Sequence, residues 1–338
     1  MTVRVHIKNN HAHPDSFPPT PESEPVFTTT RERYDAVLAS YPDLQGKLDT
    51  VIDWDTENFA ESMKTAEALM CWDLPTEDLR DVAPNLKWIH IIGAGVEHLC
   101  PMDWAPEGLV ITNNKGAQAA KAGDFGLMAV LMLHSHIPAI ASNQRSNEWN
   151  SLYSTPIEGR TVLIVGVGSL GGGAAKQLKK LGIHVLGVSR HGNAHADVDE
   201  MGTMADLDAF LPRADYIFVS VPMTPETVNL MNRDRLSAMK PGSGIINIGR
   251  AATMDYDALV DLLGSGHLDG AILDVFDPEP LPLDSPLWTT PNLMVMPHIS
   301  ADDGETYIET TLTIFLNNMR RFIAGEELNN LVRPDLGY

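Results

Sequence analysis

The residues with chemical potential in this 338-residue chain stand where its apolar runs end. Gly166-Val167-Gly168-Ser169-Leu170-Gly171 fits G-x-G-x-x-G and lies between the apolar run TVLIV and the amphipathic stretch LGGGAAKQLKKLG. The pattern alone is common; between a strand and a helix it carries a mechanism. The first glycine permits a tight turn, the second lets a pyrophosphate approach the backbone, and the third lets helix and strand pack closely. The helix N-terminus then presents N–H groups and a positive dipole end to the anion. Gly166, Gly168, Ser169, Leu170 and Gly171 are thus expected to bind a dinucleotide. The next strand, Ile183–Val188, ends at Ser189-Arg190, where a carboxylate usually meets the adenosine ribose hydroxyls. A hydroxyl and a guanidinium suit a 2′-phosphate better, because Arg makes bidentate, charge-assisted bonds to it. The reading is NADP(H), with NAD(H) possible if Arg190 is merely a solvated loop residue.

Three later segments each place one polar residue beside an apolar run: Arg250 after IINIG, Glu279 in DVFDPEPL and His298 in VMPHIS. Arginine is a natural fork for a carboxylate. Histidine can hand a proton to a carbonyl oxygen as that carbonyl is reduced, and a neighbouring carboxylate keeps it protonated near neutral pH. Each residue alone would pass for a surface or packing residue. Together, beside a dinucleotide turn, they suggest a reductase.

Positioning these groups requires strands that end at one edge. Fully apolar runs at TVLIVGVG, HVLGVSR, YIFVSVP, GIINIG, GAILDVF and LMVMP alternate with helical stretches such as DALVDLLGSG, which argues for a parallel sheet covered on both faces. An earlier α/β series comprises Val3–Ile7, Ala68–Trp72, Leu86–Gly93 and Val110–Thr112, with a helical spacer at Asp78–Val82. The Pro/Glu/Thr-rich stretch from His13 to about Thr30 reads as a long loop, Asp124–Ile140 as one buried helix, and Glu305–Ala324 as a long C-terminal helix.

Length allows about two domains with a sizeable core. Acidic residues outnumber basic ones 45 to 24, for a net charge of −21. Such a surface repels phosphate backbones and anionic lipids, so no nucleic-acid or membrane partner is expected. Cys71 and Cys100, the only cysteines, make neither a disulfide framework nor a cysteine zinc site. The stretch MTVRVHIKNN lacks a signal-peptide core, and Gly126–Leu133 is too short to span a bilayer, so a cytoplasmic protein is expected. His11-Ala12-His13 lacks partners for a metal, and Val167 stands where a G-x-S-x-G nucleophile elbow needs glycine.

In this order and spacing, GVGSLG, SVPMTPETVNLMN, PGSGIINIGRAATMDYDALVDLLGSGHLDGAILDVFDPEPLP and SPLWTTPNLMVMPHIS resemble the D-isomer-specific 2-hydroxyacid dehydrogenase family, from about Ala68 onward. Arg250 and Glu279 are 29 residues apart and Glu279 and His298 are 19 apart, both as in that family. The resemblance implies two Rossmann-like α/β domains with doubly wound parallel sheets. A cofactor domain, 116–302, would be inserted into a discontinuous, flavodoxin-like substrate domain, 1–115 and 303–338. It implies that Arg250 binds the substrate carboxylate and keto oxygen, that His298 is the acid/base, and that Glu279 tunes it. Asp274 would bind the nicotinamide carboxamide, while Pro222, Thr227 and Ile248 belong to segments lining the cofactor. Backbone N–H groups at Ala94-Gly95 would take the substrate carboxylate. Trp72 lies near positions that close the substrate pocket, and equally suits a core tryptophan. A homodimer through the cofactor domains, with sites in the interdomain cleft, is also implied.

The expected reaction is NADPH-dependent reduction of a 2-oxoacid to a D-2-hydroxyacid. Glyoxylate or hydroxypyruvate reduction is the nearest alternative. Formate dehydrogenases have glutamine where this chain has Glu279, and many phosphoglycerate dehydrogenases carry a further regulatory domain. A nucleotide-sensing corepressor on the same fold is the alternative of another class. Glu97 and Asp124 depart from the usual Asp and Glu, and the region up to about Thr65 matches weakly.

Overall fold

The computed structural model describes residues 2–333 apart from residue 15, so the expected domain limit at 338 lies outside the described residues. The chain divides into two compact units at Ala117/Gln118 and again at Asp302/Asp303, the middle segment forming one unit and the two flanking segments the other.

In the flanking unit, β1 (Val3–Asn9), β2 (Leu48–Trp54), β3 (Ala68–Cys71), β4 (Trp88–Ile91) and β5 (Val110–Thr112) form a sheet of order β2-β1-β3-β4-β5. Every pairing is parallel. Short helices α1 (Glu24–Phe27), α2 (Arg31–Leu38), α3 (Phe59–Met63) and α4 (Leu79–Val82) lie between the strands in sequence. β2 escapes the sequence reading because its apolar residues are interrupted by Asp49, Thr50 and Asp53, and its alternate residues are exposed. The stretch from His13 to Thr30 is more than a loop. It contains α1, buries Phe27, and is pinned by the Asn9 side chain, which bonds both the N–H and the C=O of Thr29 at 2.9 and 3.0 Å.

The middle unit begins with α5 (Ala119–His134) and α6 (Ile137–Arg145). The single helix expected over Asp124–Ile140 is therefore two helices meeting at 62°. His136 takes φ +56°, and Pro138 in the first turn of α6 has no N–H to continue α5. The sheet follows with β6 (Thr161–Val165), β7 (His184–Ser189), β8 (Glu200–Thr203), β9 (Tyr216–Val219), β10 (Ser243–Asn247), β11 (Leu268–Leu273) and β12 (Leu293–Val295). Its order is β12-β11-β10-β9-β6-β7-β8, with all pairings parallel. Helices α7 (Ser169–Lys179), α8 (Leu207–Phe210), α9 (Arg233–Ala238) and α10 (Tyr256–Gly264) connect them. The sheet is covered on both faces by apolar clusters, one around Leu163, Ile217 and Leu259 and one around Ile164, Phe218 and Ala174. β8 and α9 are too short and polar to have been read from periodicity.

The closing helix α11 (Tyr307–Ala324) returns to the first unit, where Phe315 stacks on Trp88 at 4.7 Å. Gly325 at φ +69° ends it. Among the described residues no single helix is long and apolar enough to cross a membrane.

Candidate active site

Because the strands of the middle sheet are parallel, all their C-terminal ends meet one edge. The register sets them side by side: Val165 pairs with Val188 and Val219, Val219 with Asn247, Asn247 with Leu273, and Leu273 with Val295. β6 lies between β7 and β9, so chain order reverses there, and ligands of open α/β sheets bind at such switch points.

The glycine turn follows β6. Gly166 has φ +102°, a conformation that disfavours any side chain. At Gly171 a Cβ would fall 2.3 Å from the Gly166 carbonyl oxygen, so helix and turn can meet only without one. At Gly168 a Cβ would meet nothing within 4 Å, and no side chain caps α7. A turn that is tight at its first and third glycines and open at its second fits a dinucleotide phosphate. Ser220, which the sequence reading missed, steadies this turn by donating from Oγ to the Gly166 carbonyl at 3.0 Å. Ser189 ends β7 and accepts from Gly192 N–H at 3.2 Å, while Arg190 is exposed beside it. Pro222 and Thr227 form one turn after β9, the Thr227 hydroxyl donating to the Pro222 carbonyl at 2.6 Å. Ile248 is buried directly after β10.

Arg250, Asp274, Glu279 and His298 follow β10, β11, β11 and β12. His298 Nδ1 lies 2.7 Å from Glu279 Oε2, and Glu279 Oε1 accepts from the Phe276 N–H at 2.7 Å. Burial alone would lower the imidazole pKa, but the bond to Glu279 and the charges of Glu279 and Asp274 outweigh it and raise it above its ordinary value. Burial pushes the Glu279 carboxyl up, yet its bond to His298 and the nearby charges of His298 and Arg250 bring it below the usual range. Both directions describe one ion pair, half-exposed to solvent. His298 also carries φ +54°, a strained backbone for a non-glycine residue. Asp274 holds that strained segment, accepting from Ile299 N–H at 2.9 Å and from Ser300 N–H at 3.1 and 3.2 Å. Its carboxylate, expected to face a carboxamide, is thus engaged with backbone, and burial pushes its pKa up.

Asn247, the last residue of β10, clamps the Arg250 segment with its side chain. Its Oδ1 accepts from Gly249 N–H at 3.0 Å, and its Nδ2 donates to the Arg250 carbonyl at 3.2 Å. Nothing in the sequence distinguishes this asparagine from a turn residue.

In the other unit, Ala94 and Gly95 follow β4. Their loop is held by Asn114 N–H to the Gly93 carbonyl at 2.9 Å and by Asn113 Nδ2 to the Ala94 carbonyl at 2.7 Å. Trp72 is half-buried against the core of its unit and stacks on His98 at 4.1 Å. It also presses on the glycine loop, since a Cβ on Gly93 would lie 2.4 Å from its ring.

The chain is similar to known proteins along most of its length. Residues 127–300 match the model of the D-isomer specific 2-hydroxyacid dehydrogenase NAD-binding domain. A glyoxylate reductase of Thermofilum pendens is 31% identical over 84% of this chain and 87% of its own length. Among solved structures, a D-isomer specific 2-hydroxyacid dehydrogenase from Xanthobacter autotrophicus, in complex with NADPH and MES, superposes with a TM-score of 0.79 at 29% identity, covering 100% of this chain and 99% of that one. An NADPH-dependent glyoxylate/hydroxypyruvate reductase from Sinorhizobium meliloti, in complex with NADP and sulfate, has a TM-score of 0.79 at 26% identity and full coverage of both chains. The chain is an NAD(P)-dependent enzyme and belongs to the D-isomer specific 2-hydroxyacid dehydrogenase family.

Proposed function

We propose that this enzyme reduces a 2-oxoacid to a D-2-hydroxyacid, with NADPH as its preferred reductant. The observation that carries the reading is the 2.7 Å contact between His298 Nδ1 and Glu279 Oε2 at the same sheet edge as the glycine turn. It commits Nδ1, so Nε2 is the nitrogen left to give a proton to the carbonyl oxygen, and Glu279 keeps the ring charged until it does so. Arg250 supplies a guanidinium to the carboxylate and keto oxygen. A bound reduced nicotinamide supplies the hydride. Gly166, Gly168, Ser169, Leu170 and Gly171 would hold its pyrophosphate, with Pro222, Thr227, Ile248 and Asp274 along the remainder.

The NADPH preference rests on Ser189-Arg190 at the end of β7, where no carboxylate stands, and on relatives solved with NADPH or NADP. The flanking unit is assigned to substrate binding, with Ala94 and Gly95 as carboxylate-facing amides and Trp72 shaping the loop behind them. A homodimer through the middle unit is part of the same reading; Trp149 and Tyr153, 99% and 88% exposed after α6, supply apolar surface for it. Glyoxylate and hydroxypyruvate are the first substrates to try, given the names of the relatives. A panel of 2-oxoacids of increasing chain length, each assayed with NADPH and NADH, tests the proposal. Turnover with none of them contradicts the reaction, and equal kcat/KM with both reductants contradicts the preference.

A further inference from the structure

Behind the ion pair of His298 and Glu279 a tyrosine hydroxyl joins two strand ends. Tyr256 opens α10 behind its N-cap Asp255, whose side chain accepts from Ala258 N–H at 2.8 Å. The Tyr256 hydroxyl donates to the Val275 carbonyl at 2.7 Å and receives the Asn247 Nδ2 donor at 3.3 Å. Val275 is 1% exposed, so solvent is poorly placed to replace that bond. Its carbonyl and the Phe276 N–H belong to one planar peptide unit, and fixing one end fixes the other. That N–H is the donor to Glu279 Oε1. On its other side the phenol meets Asn247, which also holds the Arg250 carbonyl. One hydroxyl thereby joins the strand end carrying Arg250 to the strand end carrying Glu279.

We propose that Tyr256 is a positioning residue that orients the Val275–Phe276 peptide and, through it, Glu279 and the charge state of His298. Burial, with the charges of Glu279 and Asp274 nearby, holds the phenol pKa far above its ordinary value despite the Asn247 bond, so the hydroxyl remains a donor throughout the working pH range. The groups acting on His298 are Glu279, Asp274 and Arg250, with the Asp302 carboxyl also within its field. Of these, Glu279 is the one whose placement Tyr256 governs.

The test is Tyr256→Phe in the full-length enzyme, read by NMR titration of the His298 ring and by the pH profile of 2-oxoacid reduction. Loosening Glu279 should lower the His298 midpoint by about half a unit to one unit. The alkaline limb of kcat should move down by the same amount, with kcat itself reduced about 3- to 10-fold. The dissociation constant for NADPH should not change. In a Glu279→Gln background, Tyr256→Phe should move neither readout further. An unmoved His298 midpoint, or an equal displacement in the Glu279→Gln background, overturns the proposal. If Tyr256→Phe does not fold, Tyr256→Gln, which keeps a polar group of shorter reach, must show the same displacement, and an unmoved midpoint there overturns it equally. The inference rests on the acid role proposed for His298, but the NMR arm needs no turnover. A wild type inactive on every 2-oxoacid would remove that role while the titration still decides what Tyr256 does.

Discussion

His90 and His298 show how differently the two units treat the same side chain. His90 lies within β4, 0% exposed, with Nδ1 2.9 Å from the Thr112 hydroxyl. Burial pushes its pKa down to about 3, only partly offset by Asn114, so it stays neutral. His298 lies beyond the end of β12, half-exposed, and Glu279 raises it. One ring tethers the interior of a sheet and the other, charged and open to solvent on one side, is the one proposed to exchange a proton. The difference comes from a carboxylate partner and one open side, both of which the end of a parallel strand provides and its middle does not.

The sharpest way to break this contrast is to remove the charged ring. His298→Ala should lower kcat for 2-oxoacid reduction by about 10²- to 10⁴-fold, the usual worth of general acid catalysis, while NADPH binding measured by fluorescence titration stays close to wild type. Near-normal turnover would end the assignment. Arg250→Ala comes next: loss of a charge-assisted contact worth about 2–3 kcal/mol should cut kcat/KM by about 30- to 150-fold, chiefly through a higher KM.

Replacing Glu279 by Gln makes His298 more like His90. In the proposed mechanism the reaction needs protonated His298, so activity should be lost as pH rises through its pKa. Removing the charge that raises that pKa should bring the alkaline limb of kcat to lower pH, with about a tenfold loss at pH 8. A limb that stays in place would mean that Glu279 does not set the charge of the ring. Ser189→Asp with Arg190→Ala leaves the ion pair intact and should reduce the NADPH to NADH ratio of kcat/KM by about tenfold, by removing a charge-assisted bond.

The smallest effect belongs to His90. Its folded pKa near 3 lies below the ordinary 6.5, so the unfolded chain binds more protons between those values. Stability must therefore fall as pH drops below about 6.5. His90→Gln should flatten part of the change in urea midpoint between pH 7 and pH 5, His6 supplying a similar share through its own depressed pKa, while turnover at pH 7 is retained. An unaltered slope would show that His90 is not neutral in the fold.

Legibility follows the same division. In the middle unit the long strands are apolar on both faces, so β6, β7, β9, β10 and β11 stand out as continuous runs, and the residues after them could be read as functional. In the flanking unit β2 exposes Asp49 and Val51 among its apolar residues, and α1 to α3 have at most eight residues each, too few for a helical period to show, whereas the spacer expected at Asp78–Val82 is α4. The break between α5 and α6 was missed because apolar periodicity runs through it; His136 and Pro138 signal it only once the backbone is traced. Among the candidate site residues, Arg250, Glu279 and His298 stand out by type and by their place after apolar runs. Asn247, Ser220 and Tyr256 do not, because hydrogen bonds to carbonyls from distant strands leave no local pattern.

By itself, the sequence determined the parallel architecture, the glycine turn, and which charged groups stand at strand ends, because periodicity and local sterics act over a few residues. Only the tertiary structure decided which of those ends lie side by side, that Asp274 holds the strained backbone after His298, and that a tyrosine on α10 ties Arg250's strand to Glu279's. Those contacts join residues far apart in the chain. They follow from strand order and register, which are settled when the apolar faces of the sheet are buried together.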